Sequence, residues 1–255
     1  MPQEKGNRMR RSMAALLTVA VSAGGCASSY VVPGGPAPLA RLQQTDSALR
    51  DEYAAKPAAE FPAVVAVSRL QSSGYTSRTA RSYGYGAYSV VTTRDVESDT
   101  DISRLAAMPG VRSLAPINRM LLSPEMKDET ALRSAAARLR ADVLLMYTFD
   151  TQFYEKDFAE PLSIVTLGLS PNKRAYVTTT ASALLVDART GYVYGGAETT
   201  AKTDQAANAW TSDDAVDDSR RRTERESFGK LVGELEKTWA GVVKQHAAPQ
   251  TAAVR

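Results

Sequence analysis

The chain has 255 residues, with 31 Lys plus Arg against 28 Asp plus Glu, 44% apolar and 23% charged residues. That is the composition of one or two globular domains and excludes a fibrous or wholly disordered chain. One Cys excludes an internal disulfide, and one His excludes chemistry that needs two.

Residues 1–12 carry Lys5, Arg8, Arg10 and Arg11 against Glu4, and residues 13–23 are uncharged and mostly apolar. A basic start, a short apolar run and small residues at its exit form a secretory signal, too short to span a bilayer. The exit reads Ala23-Gly24-Gly25-Cys26. It resembles the lipobox of bacterial lipoproteins, in which small residues admit a signal peptidase and the thiol takes a diacylglycerol. Ala23 stands where the family usually has Leu. The resemblance implies a signal peptide over 1–25, recognition by the peptidase at Ala23, Gly24 and Gly25, and lipidation of Cys26. Several acyl chains would hold the protein stably on a membrane, where one would not. Ala27 and Ser28 follow the Cys in place of the Asp that marks inner-membrane retention, which points to the outer membrane, facing the periplasm. Cleavage before Cys26 removes four basic residues and one acid and leaves 27 of each sign. The net positive charge belongs to the export signal, and no basic footprint for nucleic acid remains.

Residues 26–38 hold three Pro and two Gly and read as a lipidated Cys with a flexible tether. A single α/β domain is expected over 39–246. Leu39, Leu42, Leu49 and Tyr53 suggest a short helix before Pro57. The apolar run 63–70 reads as a buried strand, residues 72–87 as a Gly-, Ser- and Tyr-rich loop, and 88–94 as a second strand. Asp99 caps a helix that Pro109-Gly110 stops. Residues 111–122 are ambiguous, because Pro116 limits them to an edge strand or an irregular segment. Thr130 to Arg140 is an Ala- and Arg-rich helix, followed almost at once by the apolar strand 142–149. Residues 175–187 and 192–202 form a hairpin about the turn 188–191. The clearest element is a long C-terminal amphipathic helix with Phe228, Leu231, Val232, Leu235, Trp239, Val242 and Val243 at steps of three and four. Its pairs Arg220–Glu224 and Arg222–Glu226 are expected on the exposed side. Residues 247–255 read as a disordered tail.

Helices interleaved with apolar strands indicate an α/β (α+β) sandwich with a mixed sheet and a β-hairpin in its C-terminal half. Ala141-Asp142 with Leu144-Leu145, and Val186-Asp187 with Thr190-Gly191-Tyr192-Val193, resemble the periplasmic α/β lipoprotein superfamily. That group includes the curli-secretion lipoprotein, the penicillin-binding-protein activator lipoprotein and the amino-terminal domain of the Tol translocation protein. The resemblance covers about residues 62–245; Tyr147 and Thr148 depart from it where the family often has Gly. It implies an envelope protein that binds a periplasmic protein or peptidoglycan, and it offers an oligomer as a second reading.

Catalytic signals are weak. His246 lies near the chain's end, away from any triad-like setting. No phosphate-cradling loop occurs, and no cofactor is called for. Asp213, Asp214, Asp217 and Asp218 could hold calcium, but they also suit the N-terminal turns of a helix and can pair with Arg220, Arg221 and Arg222. No metal, catalytic residue or nucleic-acid partner is therefore expected. The candidate binding residues are Tyr75, Tyr83, Tyr85 and Tyr88, which could stack on sugar rings or anchor a partner, and the apolar run 161–173. Three functions follow: a non-catalytic lipid-anchored binding protein, a subunit of an outer-membrane secretion assembly, and a cryptic carboxylate-dependent hydrolase.

Overall fold

A computed structural model describes Gly35 and residues 46–157, 173–206 and 213–247. A seven-stranded mixed sheet dominates it, in the order β2-β4-β1-β7-β8-β9, with β5 also paired to β1. The strands are β1 (Ala63–Gln71), β2 (Ser82–Tyr83), β4 (Ser89–Val91), β5 (Val111–Pro116), β7 (Val143–Asp157), β8 (Lys173–Asp187) and β9 (Val193–Ala206). Two-residue strands β3 (Tyr85–Gly86) and β6 (Glu125–Met126) pair separately. The helices are α1 (Asp46–Ala54), α2 (Asp99–Ala106), α3 (Thr130–Arg138) and α4 (Asp213–His246).

β1 is central because its sequence is apolar on both faces. It runs parallel to β7 through Val65↔Val143 to Arg69↔Tyr147. Its other edge is shared: β5 pairs in parallel with its first half and β4 antiparallel with its end. Pro116 ends β5 at this position, as a residue without an amide hydrogen requires. Sheets buried on both sides show near-continuous apolar strands, and alternate residues here feed two separate cores. On one face, Ala63, Val65, Val143, Leu145, Tyr147, Phe149, Ala183 and Leu185 pack with Leu105 of α2 and with Phe228, Leu231, Val232, Leu235 and Trp239 of α4. On the other, Ala66, Leu70, Leu144, Met146 and Val186 pack with Leu132, Ala135 and Ala136 of α3. The result is an α+β sandwich with the β8–β9 hairpin in its C-terminal half.

Several elements differ from their expected bounds. The strands β7, β8 and β9 are longer: β7 runs on to Asp157, β8 begins at Lys173 and β9 runs on to Ala206, all within the same antiparallel ladders. At α2 the cap is Ser98, whose hydroxyl accepts from the Asp101 amide at 3.1 Å, so Asp99 lies inside the helix. The supposed loop 72–87 contains β2 and β3. At Gly86, φ is +115° and a Cβ would stand 2.5 Å from the Met126 carbonyl, so only glycine lets the two chains approach. Gly35 is held as well: its carbonyl accepts from the Ser72 amide at 3.1 Å. The helix α4 runs to His246, whose ring lies edge-on to Tyr192 and Tyr194.

The C-terminal half of α4 is fastened by apolar burial. Trp239 is 1% exposed, donates from its indole nitrogen to the Pro109 carbonyl at 2.7 Å and meets the Phe61 ring at 5.7 Å. Trp239→Ala removes both the packing and the donor and should cost about 3–5 kcal/mol, read by urea denaturation of the purified protein. An unchanged midpoint would show that the helix is held by its other half.

Candidate functional site

At the C-terminal end of β1, apolar packing gives way to ions. Arg69, which follows Ala63, Val65 and Val67 on the α4 side of the strand, projects its guanidinium under α4. There, Arg220 and Glu224 stand one turn apart on the face that Phe228 and Leu231 continue. Arg220 and Glu224 are 0% and 1% exposed, which corrects their expected place on the solvent side of the helix. Arg222–Glu226 shows the other outcome: Glu226 pairs with Lys230 at 2.8 Å and is half-exposed. The i,i+4 rule identifies neighbours on a helix but not the face they occupy.

Two guanidinium groups organise the cluster. Arg69 donates to Asp95 at 2.8 Å and to the Tyr75 hydroxyl at 3.1 Å, and lies 3.5 Å from Glu224 and 3.7 Å from Glu97. Its guanidinium also lies 4.8 Å from the Phe149 ring centroid, a cation–π contact. Arg220 donates to Asp217 at 3.0 Å, to Asp95 at 3.2 Å and to Glu224. Thr151 donates to Glu224 at 2.9 Å, and Tyr147 donates to Glu97 at 2.8 Å. Burial disfavours the charge on Arg69, but Glu97 and Glu224 outweigh it and hold the guanidinium above its ordinary pKa. For Glu224 burial wins over Arg69 and Arg220, and its carboxyl titrates above the usual range. Burial also raises Asp95, yet Arg69, Thr79 and Arg220 overcome it and lower its pKa.

The cluster supports a surface segment. Ser77 accepts from the Ala80 amide at 3.0 Å and its own amide donates to the Ala80 carbonyl at 2.8 Å, closing a tight turn. Thr79 in that turn donates to Asp95 and accepts from Arg220 at 3.2 Å. Arg78 pairs with Asp214 at 2.6 Å. Residues 72–87 are therefore fixed from below by buried charge and from the side by the start of α4.

The four candidate tyrosines separate accordingly. Tyr75 is 2% exposed and its hydroxyl belongs to the arginine cluster. Tyr88 is 4% exposed and donates to the Asp128 carbonyl at 2.7 Å. Neither ring is open to a sugar or a partner. Tyr83 is half-buried against the α3-side core, while Tyr85 is 59% exposed. Cys26, Ala23, Gly24, Gly25 and most of the run 161–173 lie outside the described residues. The acids of α4 are distributed rather than grouped: Asp217 is buried on Arg220, Asp218 pairs with Arg221, and Asp214 with Arg78.

The opposite end of β1 is organised by Asp142 and Asp187. Asp187 accepts from the amides of Ala58, Arg189 and Thr190 at 2.6, 2.9 and 3.0 Å and from the Tyr194 hydroxyl at 2.8 Å. Asp142 accepts from the Val64 amide at 3.0 Å and from Arg189 at 3.0 Å. Asp187 thus closes the turn 188–191, and Asp142 ties the start of β7 to β1 and to that turn. Burial raises the Asp187 pKa, but the hydrogen bonds from Ala58, Thr190 and Tyr194 outweigh it and leave it below the carboxylate range.

No family model matches the sequence, and no curated protein matches it. Solved structures resemble the fold. A Xanthomonas campestris protein of the DUF330 family is 14% identical over 57% of this chain and 62% of its own, with a TM-score of 0.31. This chain therefore spans less than two thirds of that protein. A minor lipoprotein from Acinetobacter baumannii is 9% identical over 70% of this chain and 90% of its own, with a TM-score of 0.33. A lipoprotein from Neisseria meningitidis is 13% identical over 71% and 99%, with a TM-score of 0.31. At these identities and scores the likenesses assign no partner or activity to this chain.

Removing one member of a buried ion cluster strands the others. Arg220→Met should destabilise the protein by about 3–5 kcal/mol and make residues 76–81 accessible to trypsin. Preserved stability with unchanged proteolysis would remove the cluster's supporting role. Acid sensitivity has a separate source. The lowered pKa of Asp187 contributes stability that is full above its unfolded value near 4 and is lost as pH falls through the folded one. Asp187→Asn should cost about 2 kcal/mol at pH 7, with the deficit shrinking below about pH 4. Glu224 acts oppositely, since protonating a carboxyl whose pKa is raised relieves its burial. Denaturation at pH 3.5 and 7 compares the two effects.

Proposed function

We propose that this protein is a non-catalytic, lipid-anchored envelope protein that docks a periplasmic partner through the segment 72–87. The observation that carries this reading is the buried charge beneath that segment. Ion clusters inside a protein are poor stabilisers, because desolvation offsets their attraction, and apolar side chains of similar volume do as well or better. Here Arg69, Arg220, Glu224 and Asp95 hold a short surface turn and the base of a tyrosine strand in one geometry. A pre-organised surface avoids the entropy of ordering a loop on binding, and Tyr85 offers an exposed aromatic anchor at its rim.

The anchor supports the same reading. Eight residues lie between Cys26 and Gly35, a reach of roughly 30 Å when extended. Gly35 meets the fold at Ser72, at the foot of the docking segment. A lipidated Cys26 would therefore keep this end of the sheet near the membrane surface, and a partner located there is the one favoured. Among the described residues no helix is long and apolar enough to cross a membrane, so attachment in this reading rests on the acyl chains. The outer membrane, facing the periplasm, is the proposed site.

Cys26→Ser should abolish lipid labelling and release the protein from the membrane fraction; retained labelling overturns the anchor. A photo-crosslinking amino acid at position 85 of the full-length protein should give a discrete adduct in intact cells. The same probe at exposed Arg138 should give none. Equal patterns at the two positions would overturn the docking segment while leaving the anchor standing.

A further inference from the structure

A cleft lies between α3 and the turn 188–191. It measures about 480 Å³ and is lined by Thr130, Arg133, Ser134, Arg140 and Arg189 with small alanines, and by no carboxylate. Two of its arginines are fixed in place. Arg133 donates from Nε to the Ala188 carbonyl at 3.3 Å and from Nη2 to the Arg189 carbonyl at 2.6 Å. Arg189 donates to the Ala58 carbonyl at 2.7 Å and to Asp142 at 3.0 Å. Carbonyls carry no formal charge, so Asp142 offsets only one of the three cations. Gly191, at φ +78°, leaves the space that Arg133 fills: a Cβ there would stand 2.9 Å from Nη1.

Arg140 is the informative residue. It occupies the position just past the end of α3, where the chain turns left-handed, and its φ is +53°. The Ala141 amide donates to the Ala136 carbonyl at 2.9 Å and the Arg140 amide to Ala137 at 3.0 Å, the two bonds of a Schellman cap. That position favours glycine, and a residue with a Cβ there is strained. Arg140 makes no ion pair or side-chain hydrogen bond with any described residue. An arginine held in a glycine conformation at the rim of an arginine-lined cleft is not explained by the fold.

We propose that this cleft binds a phosphate monoester, gripped by the guanidinium groups of Arg133, Arg140 and Arg189 with the hydroxyls of Thr130 and Ser134 at its edge. Guanidinium groups suit the oxygens of a phosphate, and two that are already held, Arg133 by backbone carbonyls and Arg189 by the Ala58 carbonyl and Asp142, lose little entropy on binding. The volume admits a phosphate with a small attached group. The cleft shares no lining residue with the docking segment 72–87.

The test uses the full-length lipidated protein in detergent, with sodium phosphate, glycerol phosphate or phosphatidic acid micelles titrated at constant ionic strength. Saturable thermal stabilisation is expected with phosphate groups. The glycerol phosphate and phosphatidic acid arms tell a soluble ester from a lipid headgroup. Arg140→Gly should weaken binding at least tenfold while raising the ligand-free Tm by about 2–4 °C, because it relieves the left-handed strain. Arg138→Ala, an exposed neighbour outside the cleft, should leave binding unchanged. The proposal is overturned if no arm saturates, if Arg140→Gly binds as the parent does, or if Arg138→Ala loses as much.

Discussion

The helix α4 has to lie across a sheet whose surface changes character beneath it. Over its C-terminal half the strands offer Val65, Val143 and Leu145, and the helix answers with Leu231, Leu235 and Trp239. Over its N-terminal half β1 offers Arg69, and the helix answers with Glu224 and Arg220. A 34-residue helix spans roughly 50 Å, farther than one apolar patch of this sheet extends. Arg104 of α2 adds a bond to Glu236 at 2.8 Å across the two helices. The two halves differ in how they fail: apolar contacts weaken gradually as atoms are removed, whereas the ionic half leaves a stranded charge when any one member goes. Everything that touches the ionic half, including Tyr75, Thr79 and Asp95, inherits that all-or-none character.

The apolar architecture was legible from the chain alone. Strand periodicity located β1, β7 and β8, and the spacing from Phe228 to Val243 located the core face of α4, because alternation and the 3.6-residue repeat follow directly from backbone geometry. The limits appear where polar residues are buried. Arg69 lies inside the run 63–70 that reads as a buried strand, but nothing local gives it a partner, and Arg220 opens a charged stretch that reads as surface. Nothing local distinguishes Arg220–Glu224, which is buried, from Arg222–Glu226, whose Glu226 is not. Continuing the Phe228–Leu231 face backwards by whole turns does reach Glu224 and Arg220, and that was the available signal. The tyrosines failed for a similar reason. Their hydroxyls let them be buried or exposed, and only the long-range bonds of Tyr75 to Arg69 and of Tyr88 to Asp128 decide.

The motif residues behave differently. Asp142 and Asp187 stand out because each is fastened by backbone amides: Val64 of β1 for the first, and Ala58 with the turn amides of Arg189 and Thr190 for the second. A carboxylate can satisfy several amides at once where a neutral side chain cannot, so such positions restrict their residue type strongly. The resemblance that these segments carry is thus a statement about how two strand ends are fastened. It identifies a way of building the sheet and leaves open what the built surface recognises.

Arg140 shows where such recognition leaves a mark. In the middle of a helix an arginine is unremarkable, since its propensity is good and its side chain reaches water. Two residues past the helix end, with φ at +53°, the same side chain costs stability that glycine would not. Elsewhere Ser98 caps α2 with its hydroxyl, and in the β8–β9 turn glycine takes the left-handed position at Gly191. A chain that keeps arginine at a left-handed cap bordering a cationic cleft has set local stability against the position of a charge. The strain is small enough for a domain with two full cores to absorb, which is the condition under which such a residue persists.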